Sequence, residues 1–221
     1  MTNLFSIFDP STSSLLSLNW VSFSIPIIFL PLSYWLSPSR WNIIFKKISF
    51  YITMEIKNNI SNKSIKNIII FFSLFWMILM MNLLSLYPYI FTTTSHLSTT
   101  MILAMPMWLS LMLYGWMNMA NHMFTHLVPL STPMMLSFFM VLIETVSNII
   151  RPITLSVRLT ANLIAGHLLM SLMSSIYENF QILFPLLSPL LMMLTTLEYA
   201  VAMIQSYVFI TLTSLYLTEI E

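Results

Sequence analysis

Long apolar blocks separated by short polar connections run through the chain, and none alternates at the period of two that a membrane barrel strand would show. The hydrocarbon core of a bilayer, about 30 Å thick, takes about 20 residues of helix. Residues 15–36 form a first candidate span, apolar apart from small hydroxyls and Asn19, with Pro26 and Pro31 placed to bend it. Residues 67–91 and 97–115 read as a second and a third, joined by a turn rich in Thr and Ser that holds His96 at the interface. Two blocks exceed a perpendicular crossing. Residues 134–174 would extend about 60 Å as one helix, and residues 180–217 follow after a polar turn around Glu178. Either the first of these breaks near Pro152 into two spans or it lies steeply tilted, and hydropathy leaves both open.

The connection between the first and second spans differs in kind. Arg40, Lys46, Lys47, Lys57, Lys63 and Lys66 lie there, six of the eight cationic residues, opposed by Glu55 alone. The positive-inside rule puts this segment on the matrix or cytoplasmic side and the amino terminus on the other. Within 41–56, Trp41, Ile44, Phe45, Ile48 and Ile52 recur at three and four residues among the charges, the pattern of an amphipathic helix on a membrane surface that contacts lipid. Asn59 and Asn62 open Asn-x-Ser sequons on the side that is not glycosylated. The chain therefore reads as one all-α membrane unit, 1–221. Its parts are 1–39 with the first span, the basic segment 40–66, a helical hairpin 67–115, a polar connection 116–133 and two long helices in 134–221.

Composition agrees and narrows the chemistry. The chain is 58% hydrophobic and 7% charged, which excludes a soluble domain as the default, and no nucleic-acid partner is expected. No cysteine is present, so disulfides and thiolate metal sites are absent. The first basic residue is Arg40, which leaves no positive leader before it, so Met1 is expected to begin the mature chain. His122 and His126 have the i, i+4 spacing of a metal-binding helix face, but no third ligand follows at a recognisable distance, and they read as packing or interface residues. No metal or cofactor is expected.

Inside the first long block the polar residues are few and ordered. Glu144, Asn148, Arg151, Arg158 and Asn162 follow one another at steps of four, three, seven and four, which lines them along one helix face. Ionisable groups at membrane depth are costly and face water or a partner, so such a stripe is a candidate ion pathway. Arg151 has a structural alternative, a pair with Glu144 two turns earlier. Arg158 has no acid so near, and a guanidinium cannot shed its proton, so a carboxylate from elsewhere should meet it. His167, nine residues on, points to the opposite side of the helix. In the last block Glu198, Gln205 and Glu219 share a face at steps of seven and fourteen. Antiparallel packing of the two blocks would bring Glu198 toward His167 and Gln205 toward Arg158.

These residues resemble a known family. The run Ser156-Val157-Arg158-Leu159-Thr160-Ala161-Asn162-Leu163-Ile164-Ala165-Gly166-His167 looks like the signature of ATP synthase subunit a, an arginine in an R-L-x-x-N-x-x-A-G setting. Ile143 to Pro152, Ile204 to Val208, Phe8 to Thr12 and His126 to Pro129 are similar to its flanking motifs, so the resemblance spans the chain and is greatest to insect mitochondrial versions. It implies five to six helices, the last two long and strongly tilted against a ring of c subunits. By the same resemblance Arg158 meets the ring carboxylate, with Gln205 and Asn162 beside it. His167 and Glu198 line a half-channel open to the intermembrane space, and Glu144 and Glu219 one leading to the matrix. Glu219 departs from the Asp common there. The implied setting is the mitochondrial inner membrane, carboxyl terminus in the matrix, among the c-ring, the peripheral stalk and other F0 subunits near a dimer interface. ATP would form on a separate head, since no phosphate-cradling glycine loop occurs here. A secondary transporter subunit would also bury Arg, Glu and His, but should show repeated halves or paired broken helices, and no internal repeat is visible.

Overall fold

The structure, a computed structural model, describes residues 4–13, 16–28, 37–60, 65–128, 134–179 and 184–220. Among these residues every regular element is helical. Seven α-helices follow in order: α1 (Ile25–Ile28), α2 (Arg40–Asn59), α3 (Ile68–Ser85), α4 (Leu97–Asn118), α5 (Ala120–Leu127), α6 (Met134–Asn179) and α7 (Phe184–Ile220). Short 3-10 turns cover Leu4–Phe8, Leu18–Phe23, Ile65–Asn67 and Thr93–Ser95. Four helices, α3, α4, α6 and α7, are long and apolar enough to cross a membrane, and the chain is a multi-pass helical membrane protein. Of the expected first span, Leu18–Ile28 forms a short apolar helical stretch, while residues 15 and 29–36 lie outside the described residues.

Ser39 caps α2, its hydroxyl accepting the Asn42 backbone N–H at 3.3 Å. The apolar positions of α2 divide between two faces. Phe45, Ile52 and Ile56 pack inward, Phe45 stacking on Trp76 of α3 with ring centroids 4.0 Å apart, while Trp41, Ile44 and Ile48 stay exposed. The helix thus lies along α3 and also touches α7. After α3 the chain reverses through Tyr89, held at φ 67° in the left-handed region that a bulky residue seldom adopts. The polar turn that follows is buried: Thr92 and Ser95 share a hydroxyl hydrogen bond of 2.8 Å, and Thr99 donates to the Thr93 carbonyl at 2.6 Å. Burial favours such pairing, because a polar group taken out of water is costly without a partner.

Pro152 does not break α6. Its ring removes one backbone hydrogen bond, yet the helix continues for 46 residues, about 70 Å, more than twice the hydrocarbon thickness. Helix α7, with Pro189 near its start, spans 37 residues. The core lies where α3, α4, α6 and α7 meet, around Phe71, Phe75, Ile78, Leu155, Leu159, Ile210 and Leu217. Only 11% of the apolar window of α6, and the same of α7, is buried within the chain, against 39% for α3. The two long helices therefore keep wide apolar faces for lipid or another subunit.

Candidate functional site

Helices α6 and α7 pack antiparallel, and three contacts fix their register. Arg151 donates to Glu219, Asn162 Nδ2 donates to Gln205 Oε1 at 2.7 Å, and Gly166 lies against the carboxyl of Glu198. Eleven residues forward along α6 thus correspond to fourteen back along α7. The polar stripes foreseen on each block face one another because both follow the helical repeat.

Around Arg151 the two helices build a charged cluster. Its guanidinium pairs with Glu219, lies 3.8 Å from Glu144 Oε1 and sits 4.9 Å from the centre of the Tyr216 ring. The pair with Glu144 is the structural alternative noted for Arg151. The partner 68 residues away, Glu219, is closer. A cavity of about 200 Å³, large enough for several waters, is lined by Glu144, Asn148, Arg151, Tyr216, Glu219 and the edges of α4 and α5.

A second cavity, about 260 Å³, opens further along α6, lined by Asn162, Leu163, Gly166, Leu169, Glu198 and Leu86, the residue that follows α3. Glu198 is buried, and neither of its oxygens has a hydrogen-bond partner among the described residues. His167 Nε2 is likewise buried without a partner, and the His167 ring meets Phe8 edge-on at 6.4 Å. Glu198 therefore reaches the residue next to His167 without bonding to the imidazole. A methyl group on Gly166 would stand 2.7 Å from Glu198 Oε1 and 2.8 Å from its Cδ, so only glycine leaves the carboxyl where it is. Outside the membrane spans, next to Phe8, the Ser11 backbone N–H donates to Asp9 at 3.0 Å and holds its carboxyl below the ordinary range.

Arg158 stands between the two cavities. It is exposed, flanked by buried Leu155 and Leu159, and among the described residues no carboxylate comes within ion-pair distance. Gln205, expected near Arg158, bonds to Asn162 one turn beyond it. His122 lies on α5; the side chain of His126 falls outside the described residues, and among those described no three metal-binding side chains converge. Asn82 escaped the sequence reading. It is fully buried on α3, one turn before Leu86, with neither amide atom hydrogen-bonded among the described residues, and a lone amide in an otherwise apolar span was the available signal.

Fold and site together define a polytopic membrane protein whose two longest helices carry ionisable groups around two separate cavities. The family model described as ATP synthase A chain matches residues 15–218. Over their full lengths the chain is 51% identical to ATP synthase subunit a of Drosophila simulans and 51% identical to that of Anopheles gambiae; the Locusta migratoria protein is 49% identical, with 99% of it covered. The chain belongs to the ATP synthase A chain family.

Proposed function

We propose that the chain is the proton-conducting stator subunit of a mitochondrial F-type ATP synthase, with Arg158 separating two half-channels. The observation that carries this is the offset of the two cavities. Arg158 lies seven residues past Arg151 and four before Asn162, the nearest lining residues of the two cavities on α6, so they flank it at roughly 10 Å on one side and 6 Å on the other. Each has its own carboxylates, Glu144 and Glu219 in one and Glu198 in the other.

A proton entering past His167 and Glu198 boards a carboxylate on a ring of c subunits, travels with the ring, and leaves by Glu144 and Glu219. Arg158, exposed and without a carboxylate at ion-pair distance among the described residues, is free to receive the ring carboxylate. At about 4 Å and an effective dielectric near 20 that attraction is about 4 kcal/mol, enough to displace the proton from an arriving carboxylic acid. It stays comparable to the driving force of about 2.3 kcal/mol per charge per 100 mV, so the ring continues to turn. Gln205 and Asn162, bonded to one another, hold the two helices together one turn from Arg158.

The basic segment sets the orientation: 40–66 to the matrix, the amino terminus to the intermembrane space and the carboxyl terminus to the matrix. Helix α6, at about 70 Å, fits a membrane of this thickness when strongly tilted, and its apolar face then lies along the ring. The remaining partners proposed are the peripheral stalk, other F0 subunits, lipid and a second synthase across a dimer interface.

Purification through a tag on this chain should bring down a ring of small hairpin proteins together with an ATPase head, and vesicles holding the complex should acidify on ATP addition. A chain that purifies without such a ring overturns the proposal. A finer test is Gly166→Ala, which pushes the Glu198 carboxyl out of its place and should slow proton entry by about tenfold while the complex still assembles. Flux equal to the parent protein would remove Glu198 from the entry path.

A further inference from the structure

One contact outside both cavities joins the basic segment to the conducting helix: the Tyr207 hydroxyl donates to the Glu55 carboxylate. Glu55 is the one acid between residues 40 and 66, and its helical neighbours at three and four residues are Tyr51, Ile52, Asn58 and Asn59. None is a cation, so nothing on its own helix attracts the carboxylate. Among the described residues it forms no ion pair. It reaches across to α7.

The place it reaches matters. Tyr207 and Gln205 are two residues apart, about 200° around the helix. Gln205 is tied to Asn162 of α6 on one side, and Tyr207 is tied to Glu55 of α2 on the other. On the arc of α7 that faces away from the core between these two anchors, Leu197, Ile204 and Leu215 are all exposed, so among the described residues no packing resists a roll on that side. Ala202, Ser206, Phe209 and Ile210 on the opposite arc are buried and do resist it. Rolling would carry Gln205 away from Asn162 and turn the ionisable stripe.

We infer that the Glu55–Tyr207 hydrogen bond is a latch that, added to the packed face of α7, sets the roll of its exposed side, making Glu55 and Tyr207 positioning residues for the conducting face. The inference rests on the proton-conducting reading above. It assigns the amphipathic helix a part in coupling, beyond anchoring the chain to the membrane surface.

The test uses the assembled complex in vesicles and reads protons pumped per ATP hydrolysed. Tyr207→Phe, which removes only the hydroxyl, and Glu55→Leu, which removes the acceptor, should each lower that ratio about threefold, the shift a typical interhelical hydrogen bond in a membrane protein sustains. The double variant should be no worse than either single one, and Glu55→Gln, whose carbonyl still accepts the phenol, should restore the parent ratio. Unchanged ratios, effects that multiply in the double variant, or a Glu55→Gln as poor as Glu55→Leu would each overturn the latch. Loss of the assembled complex in both single variants would make the pair purely architectural and overturn it as well. An Arg158→Lys control separates the two claims: if it pumps normally the proton reading fails, whereas an inactive Arg158→Lys beside unaffected latch variants rejects the latch alone.

Discussion

Arg158→Lys should abolish ATP-driven proton pumping while the complex assembles in parent amounts. Assembly survives because Arg158 is exposed and forms no ion pair with a described residue of its own chain, so the substitution breaks nothing inside the fold. Pumping fails for two reasons. A lysine ammonium is a point charge without the planar fork that meets both oxygens of a carboxylate. It can also lose its proton in a low-dielectric setting, which removes the roughly 4 kcal/mol of attraction altogether and puts a titratable amine between the two cavities. Acidification of vesicles on ATP addition, read against assembly on a native gel, checks both parts. Normal pumping would sink the assignment of Arg158.

Glu198→Gln should slow proton entry by about a hundredfold, near the low end for removing a positioned acid–base group, and leave assembly intact. The structure makes this separation unusually clean. Neither Glu198 oxygen is hydrogen-bonded among the described residues, so an amide of the same shape loses no partner and keeps the fit against Gly166. What it loses is the ability to carry a proton. Flux measured at saturating potential is the readout, and an unchanged rate would show that protons enter by another route.

The helical character of the chain and the polar stripe on each long block were legible because both follow from periodicity. Glu144, Asn148, Arg151, Arg158 and Asn162 could be aligned on paper, and α6 carries them along one side. The continuity of α6 through Pro152 was not legible from hydropathy, which reports apolar length and is silent on whether a backbone bends. The resemblance to subunit a favoured one long helix, and the helix is unbroken. Contacts between distant segments were beyond reach for a different reason. Arg151 with Glu219, Tyr207 with Glu55 and Phe8 with His167 depend on register between elements, and no spacing within one helix encodes that. Antiparallel packing was expected to bring Gln205 toward Arg158, and the hydrogen bond that Gln205 makes is to Asn162, one turn further along α6. Asn82 went unremarked because a single amide in an apolar run has no periodic partner to expose it.

The shallow burial of α6 and α7 bears on the life of the protein before it has partners. A chain that covers only 11% of the apolar windows of its two longest helices reaches the membrane with most of their greasy surface bare and the exposed Arg158 without an ion pair among the described residues. Stockpiling it would invite association between copies wherever those faces met. Supply of this chain is therefore expected to keep pace with supply of whatever covers those faces.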